Sequence, residues 1–426
     1  MNMVFIYEDK IAQDNEGNYY TGSAFSQAVF DRYLRHFDHI TLIMRKAPVA
    51  PGDSETLSHM NRIDSDRIDV AIIPNTRESL KSFLTPSVHR ELKDIVISEI
   101  DKAEAVIIRA HSGSGYVAAR YCNVHHIPYL AEAVGCPWDS LWNHSLRGKV
   151  LAPVIFKQMR FIMKHASYAV YVTDTFLQHR YPTDGKSAAI SDVELQPADE
   201  QVLISRLEHI RNHSGKIRIG TAGALHVSYK GQRYVIRALA KLKARGYTNY
   251  EYHLAGGGDN TALINQARKY QVENQVIFDG VLPHDDMFKW LDNLDVYIQP
   301  SQVEAMPRAL IEAMSRGLPC FGSEIGGIPE LLGRSGIFDR GDVNAIAKKI
   351  CSLTSGKMEH MAKRNFNYAK RFEKKPLEEK RFDFYASFAA EVEGRRYSWG
   401  KRKYGKQNMW KNRKANLNEN TYSDKL

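Results

Sequence analysis

Short apolar runs rich in β-branched residues alternate with amphipathic stretches along this 426-residue chain, and they do so in two separate series. In the first half, strands are predicted at Val4–Tyr7, Ile40–Met44, Val70–Pro74, Ala105–Ile108, Pro128–Ala133 and Tyr168–Val172. The second half repeats the rhythm at Ile217–Gly220, Tyr250–Ala255, Val276–Phe278, Val296–Gln299, Pro319–Gly322 and Gly336–Phe338. Continuous apolar strands separated by helices imply parallel sheets covered on both faces. Two series joined by a polar stretch, 191–216, therefore imply an α/β chain of two doubly wound, Rossmann-like domains facing across a cleft. The expected boundaries are 1–200 and 215–372, then a C-terminal helix, 373–394, packing back on the N-terminal domain, and a basic, disordered tail, 395–426. Ligands of open parallel sheets bind beyond the carboxyl ends of the strands, so those ends are where chemistry is expected.

Composition narrows the class further. Hydrophobic residues make up 43% and charged residues 25%, which excludes a disordered chain or a rod. The apolar runs are too short to span a bilayer, and Met1–Tyr7 leads straight to Glu8 without a secretory pattern. Cys122, Cys136, Cys320 and Cys351 form no CxxC pair, which argues against a disulfide framework or a zinc ribbon. A cytoplasmic protein with reduced thiols is expected. The net charge of +10 is concentrated at the end of the chain: residues 394–426 hold ten Lys and Arg against Glu419 and Asp424, interleaved with Tyr397, Trp399, Tyr404 and Trp410. Three readings stay open: a solvated tail, a peripheral anchor on anionic lipid, or a nucleic-acid contact. No nucleic-acid-binding motif accompanies the charge, so no nucleic-acid partner is expected.

The densest chemical signal runs from Pro300 to Pro319. A strand ends at Gln299, a turn follows, and a helix is predicted from about Pro307, a residue suited to the first helical position. Glu304 lies in the turn and Glu312 inside the helix, so two carboxylates can address one ligand. Amides at the helix start favour an anion such as a diphosphate. Each residue also has a plain alternative. Glu312 could pair with Arg308 or Arg316, and Glu304 could complement the helix dipole. Three further strand ends converge on the same edge: His253-Leu-Ala-Gly-Gly-Gly258, the turn Ser323-Glu-Ile-Gly-Gly-Ile-Pro-Glu330, and Tyr229-Lys230-Gly231, whose lysine offers a point charge for phosphate.

These segments resemble the nucleotide-sugar-binding domain of family 4 retaining glycosyltransferases, which have the GT-B fold. The matching residues are Ala224-Leu225…Lys230-Gly231, Leu254-Ala-Gly-Gly-Gly258, Phe278-Asp-Gly280, Asp295-Val-Tyr-Ile-Gln-Pro-Ser301, Glu304-x7-Glu312 and Gly326-Gly-Ile-Pro-Glu330, in the family's order over Ile217–Leu332. The resemblance implies that Glu304 and Lys230 are catalytic, Glu304 holding sugar hydroxyls near the reacting carbon and Lys230 neutralising the diphosphate. It implies that Glu312 holds the ribose. Gly223, Gly257, Gly280, Val281, Met306, Pro307, Arg308, Gly326 and Gly327 are implied as the rest of the donor site, with Gly280 and its neighbours meeting the base through backbone atoms. The chain departs from the family at Gly223-Ala224, where Gly-Arg is usual. Arg308 or Arg233 is a candidate for the missing cation, and Pro307 removes one amide from the phosphate side. No DxD-type metal pair stands out: Asp285-Asp286 are adjacent and read as a helix start. The resemblance implies a metal-independent enzyme with no cofactor and a nucleoside-diphosphate-sugar as substrate.

The first half carries the acceptor-side candidates. The polar segment 8–23, expected as a loop, contains Gly22, read either as a substrate approach or as a turn. Arg109 and His111 follow a strand, with His111 readable as structural. Glu132, Trp138 and Asp139 lie in a dense polar and aromatic segment, readable as sugar contacts or as a packed loop. Asn18-Tyr-Tyr-Thr-Gly22, Glu132-x-x-Gly-Cys-Pro-Trp-Asp139, Tyr171-Val-Thr173, Phe176-Leu-Gln178 and Tyr181-Pro182 resemble bacterial family 4 enzymes of capsule and exopolysaccharide assembly. Together these features imply transfer of a sugar to a hydroxyl of a lipid-linked glycan at the inner face of the plasma membrane. A nucleotide-sugar epimerase and a catalytically silent scaffold are the rival readings.

Overall fold

The structure is a computed structural model that describes residues 1–22, 25–50, 53–76, 82, 85–110, 112–144 and 146–395. The chain divides into two compact units. One comprises Met1–Leu130, Ala166–Tyr168 and the chain from Phe382; the other comprises Ala131–His165 and Ala169–Arg381.

In the first unit the strands are β1 (Asn2–Gln13), β2 (Tyr19–Thr21), β3 (His39–Lys46), β4 (Asn61–Arg62), β5 (Ile68–Ile73) and β6 (Ala105–Arg109). β1 pairs in parallel with β3 and β6, and β3 with β5. The apolar runs Val4–Ile6 and Ile107–Ile108 are buried at this centre, as covered parallel strands require. The segment expected as a polar loop is instead a hairpin. β1 extends to Gln13 and pairs antiparallel with β2, which pairs antiparallel with β4. The Asp14 side chain closes the turn by accepting from the Glu16 and Asn18 amides. A hydrogen bond from the Asn18 side chain is the main cause holding the Asp14 carboxyl at about 2. Ile11 and Ala12 are both buried, so two successive residues of this polar segment are covered on opposite faces of the strand. Helical residues 374–395 bring Tyr385 against Tyr33 and Phe388 against Phe37 and Tyr168.

The strands β7 (Tyr129–Ala133), β8 (Tyr168–Tyr171) and β9 (Lys186–Ala189) are successive neighbours; Tyr129, Leu130 and Tyr168 count with the first unit and the rest with the second. A separate six-stranded parallel sheet follows: β10 (Ile217–Ala222), β11 (Tyr250–Ala255), β12 (Val276–Gly280), β13 (Val296–Gln299), β14 (Cys320–Ser323) and β15 (Ile337–Phe338). Its order is β12-β11-β10-β13-β14-β15. The chain winds outward to β12 and returns past β10 to β13. The order therefore reverses between β10 and β13, and the crevice beyond their carboxyl ends is a topological switch point. The helix Gln232–Lys243 covers this sheet with Val235, Ile236, Leu239 and Leu242, a stripe at helical spacing, packed on Ile219, Leu254 and Val296.

The polar stretch between the two strand series contains a helix, Glu200–Asn212, opened by Asp199 accepting from the Gln201 amide. Its Arg206 is buried and donates to carbonyls of Leu291 and Arg316, and to Leu294. Burial lowers the guanidinium's pKa, with Asp292 and Asp295 opposing. Its positive charge sits at the last turns of two helices, where carbonyls lack intrahelical donors. Among the described residues no helix is long and apolar enough to cross a membrane. The four cysteines are free thiols.

Candidate functional site

Loops leaving β10 and β13 meet at the switch point. After β10 the chain reaches a 3-10 turn, Ser228–Lys230, then Gly231, then the helix Gln232–Lys243. Gly231 has φ +80°, and a Cβ there would lie 1.9 Å from the Pro300 carbonyl oxygen. Only glycine permits that approach. The Gln302 amide donates to the Tyr229 carbonyl at 2.7 Å, so the two loops are fastened on both sides of Lys230. Lys230 Nζ consequently reaches Glu304 Oε1 at 2.7 Å. Ser301 Oγ and Gln299 Nε2 donate to the same oxygen at 2.9 and 3.2 Å. Oε2 accepts nothing from the described residues.

This carboxylate is aimed from beneath. Tyr297 OH donates to Gln299 Oε1 at 2.9 Å and accepts from the Ala222 amide. Burial pushes the Tyr297 hydroxyl well above its ordinary range, and the charges of Glu312 and Glu304 push it further. It therefore stays a neutral donor that fixes the Gln299 amide, which in turn fixes Glu304. Glu312 is the fifth residue of the helix Arg308–Ser315 and is 7% exposed. The helix starts one residue later than expected, because Pro307 is extended at ψ 109° and serves as the cap. Of the two arginines considered as Glu312's partner, Arg316 makes a bidentate pair with Asp292, and Arg308 is exposed.

The other donor-side candidates adjoin this centre. A Cβ on Gly223 would touch the Lys230 stem at 3.6 Å. Gly326 has φ +59°, and a Cβ there would come within 1.9 Å of the Glu304 carbonyl oxygen. The Gly327 amide donates to the Ala305 carbonyl, and Met306 lies against the same glycine. Gly257 packs on Val281, which is exposed, and its carbonyl accepts from the Leu225 amide. Gly280 ends β12 and accepts from the Gly256 amide. Arg233, one candidate for the missing cation, donates to the Tyr234 hydroxyl and stacks on that ring.

Glu330 does more than its expected place in a helix's first turn. Its two carboxylate oxygens accept from the Asp174, Thr175 and Phe176 amides at 2.6, 3.0 and 2.6 Å, and from Thr175 Oγ1 at 2.8 Å. The glycine turn 326–327 is thereby tied to the segment after β8, where the Thr173 methyl also meets Gly327. Glu330→Gln puts an NH2 group against these donors. It is expected to lower turnover about tenfold, since hydrogen bonds to a charged group contribute about 1.5–3 kcal/mol. Steady-state kinetics beside a melting curve check this. Glu330→Asp, too short by one methylene to reach all four donors, should fall between the two.

The acceptor-side candidates are placed less simply. His111 lies outside the described residues. The Gly22 carbonyl accepts from the Phe25 amide and from the Asn61 side chain, which matches the turn reading. Arg109 ends β6 with its guanidinium 5.0 Å from the Phe25 ring and 5.6 Å from Tyr7. Buried Glu8, not singled out in the sequence, donates its charge to the start of the helix Gly113–His125 by accepting from the Ser114 amide. Glu132 is buried in β7. Asp139 is buried and paired with Arg180 at 3.3 Å. Trp138 stacks on Trp142 with centroids 5.1 Å apart and meets Phe156 edge-on. That packing favours the structural reading for Trp138.

Three side chains among the described residues could together hold a metal ion. His209, His213 and Asp295 bring their ligand atoms within 4.8 Å of one another. Asp295 precedes β13, so they lie at the opposite end of that strand from Glu304.

Comparison with known proteins bears on the family and the fold. The family model described as "Glycosyl transferases group 1" matches residues 216–355, the part that carries the switch point. Protein CapJ of Staphylococcus aureus is 31% identical over 353 residues, covering 82% of this chain and 85% of CapJ. The amylovoran biosynthesis glycosyltransferase AmsK of Erwinia amylovora is 34% identical over 140 residues, 30% of this chain and 34% of AmsK. The crystal structure of HepE from Anabaena in complex with UDP superposes with a TM-score of 0.59 at 16% identity, over 91% of this chain and all of HepE. That likeness shows a shared GT-B fold. Similarity to CapJ over more than four-fifths of both chains and the family match over the β10–β15 sheet lead to one conclusion: the chain is a glycosyltransferase of group 1.

Proposed function

We propose that the enzyme transfers a sugar from a uridine-diphosphate-sugar to a hydroxyl of a lipid-linked glycan during capsule or exopolysaccharide assembly, with retention at the anomeric carbon and without a metal ion. The observation that carries this reading is the 2.7 Å contact between Lys230 and Glu304 at the switch point. An ammonium and a carboxylate side by side suit a bond that breaks into a negative diphosphate and a positive sugar. As the anomeric carbon leaves the phosphate oxygen, Lys230 meets the growing negative charge and Glu304 the oxocarbenium character and neighbouring hydroxyls. The acceptor hydroxyl adds to the same face, and its proton passes to the departing phosphate. Glu312 holds the ribose. Arg308, exposed at the helix start, takes the place of the family arginine absent at Ala224, since Arg233 is held by Tyr234.

UDP is chosen because HepE is recorded with it; the capsule setting follows CapJ and AmsK. Membership of group 1 favours a transferase over the epimerase and scaffold readings. The workplace proposed is the cytoplasmic face of the membrane, held peripherally, with the domain limits 1–200 and 215–372 as functional halves.

A thermal-shift panel of nucleoside diphosphates tests the donor assignment. A ligand at a hundred times its dissociation constant stabilises the fold by about 2.7 kcal/mol, and UDP is expected to do so. Glu312→Gln is expected to weaken that binding about 10- to 100-fold, the loss of a charged hydrogen-bond acceptor. No shift with any nucleoside diphosphate would remove the assignment.

A further inference from the structure

The helix Leu146–Lys164 is amphipathic in an unusual sense. Gly148, Ala152, Met159, Ile162 and Met163 are buried and hold it to the second unit. Gly148 lets it press on the preceding helix, Pro137–His144: a Cβ there would come within 2.1 Å of the Leu141 carbonyl oxygen. The opposite side is apolar too. Leu146, Val150 and Val154, spaced i, i+4, i+8, are 81%, 76% and 52% exposed, with Leu151 beside them and Trp142 from the preceding helix also exposed. These five are half of the large exposed apolar side chains among the described residues. Such clustering marks an interaction surface rather than ordinary scatter.

Its charge is one-sided. Arg147, Lys149, Lys157, Arg160 and Lys164 are all exposed on this helix, and no Asp or Glu occurs between Ser140 and Thr173. By helical geometry Arg147 and Lys149 flank the Leu146–Val150–Val154 line, while Lys157 and Lys164 continue it. Lys149 Nζ also lies 5.8 Å from the Trp142 ring centroid. A second copy placed symmetrically on this surface would set lysine against lysine. An anionic bilayer answers both properties at once: apolar tips enter the headgroup boundary, Trp142 sits at that level, and the cations meet lipid phosphates.

We propose that Trp142 and the Leu146–Val154 stripe, ringed by these cations, form the docking surface for an anionic membrane. The proposal deepens the lipid-linked-acceptor reading and rests on it. It assigns the contact to a folded element carrying Trp142, which stacks on the acceptor-side candidate Trp138, rather than to the basic tail.

Cosedimentation with vesicles of phosphatidylcholine plus phosphatidylglycerol, against phosphatidylcholine alone, tests it on the full chain. The parent protein should bind the anionic vesicles and lose most of that binding in high salt. The variant L146Q/V150Q/V154Q should bind about tenfold more weakly or less while keeping its melting temperature and its hydrolysis of nucleotide sugar, since all three positions are exposed. A full-length variant with Lys401, Arg402, Lys403 and Lys406 changed to Gln should keep at least half of the binding. Parental binding by the triple variant, complete loss in the tail variant, or loss of a dimer with no vesicle binding by either protein would each overturn the proposal. Vesicle binding through this face with transfer to a soluble acceptor undiminished in the triple variant supports the surface, and by itself removes the lipid-linked acceptor if vesicles bearing such an acceptor yield no product.

Discussion

Glu304→Ala is expected to reduce turnover of nucleotide sugar by about 100- to 1,000-fold, the range seen when one preorganised electrostatic contact to a transition state is deleted. The dissociation constant for the nucleoside diphosphate should change far less, and in the direction of tighter binding. Both effects follow from the same contact. Lys230 spends one interaction on Glu304 Oε1, so removing the carboxylate leaves the ammonium free for phosphate while the sugar loses its anionic neighbour. Glu304→Gln separates charge from shape. Its amide could still meet the Ser301 hydroxyl and the Gln299 amide that contact Glu304 now, yet it offers no negative charge to an oxocarbenium-like centre. Turnover should therefore fall nearly as far as with alanine. Rapid-mixing measurement of a single turnover, with nucleotide affinity measured in parallel, distinguishes these effects. Unchanged turnover in either variant would remove Glu304 from the mechanism.

The strand series was readable because parallel strands buried on both faces consist of unbroken apolar runs, and β11 and β13 coincide with the predicted limits. β2 and β9 were not readable. Tyr19–Thr21 and Lys186–Ala189 are short and only partly buried, so packing leaves little imprint on their composition. The helix in the 191–216 stretch had a signal that polarity concealed: Leu203, Arg206, Leu207 and Ile210 recur at helical spacing, and Leu203, Leu207 and Ile210 pack in one core cluster. A buried arginine in that stripe reads as a surface position until its carbonyl partners are known. That the candidate donor-side residues would share one edge was legible because they follow successive strands of one sheet, and parallel topology brings such loops together whatever the side-chain details. The contacts made by Glu8 and Glu330 depend on partners 106 and 154–156 positions away, and no local pattern encodes them. For Glu132 and Asp139, burial had to be seen before the packed-segment reading could be weighed against sugar binding.

Gly326→Ala is expected to lower turnover about a hundredfold, through the backbone that the added methyl group would meet. Two costs combine at this position. The backbone is left-handed, φ +59°, which disfavours an L side chain by about 1–2 kcal/mol. The new Cβ would also lie 1.9 Å from the Glu304 carbonyl oxygen, well inside van der Waals contact, and backbone cannot swing aside as a flexible side chain can. Relief requires the 326–327 turn or the 304–305 segment to move by roughly 1 Å, and displacement of that size at a reacting group can cost about 100-fold in rate. The Glu304 carboxylate would leave the grip of Lys230, Ser301 and Gln299, so its loss should resemble that of Glu304→Ala in kind. Gly246→Ala isolates the first cost, because Gly246 is also left-handed, at φ +86°, with nothing within 4 Å of an added Cβ. That variant should lose a degree of thermal stability common to both but keep its turnover within a factor of about two, since it lies after the helix Gln232–Lys243, away from the switch point. If both variants melt lower and neither loses turnover, the approach of Gly326 to Glu304 has no part in positioning the carboxylate. A selective loss in Gly326→Ala ties catalysis to the backbone packing that holds the glutamate beside Lys230.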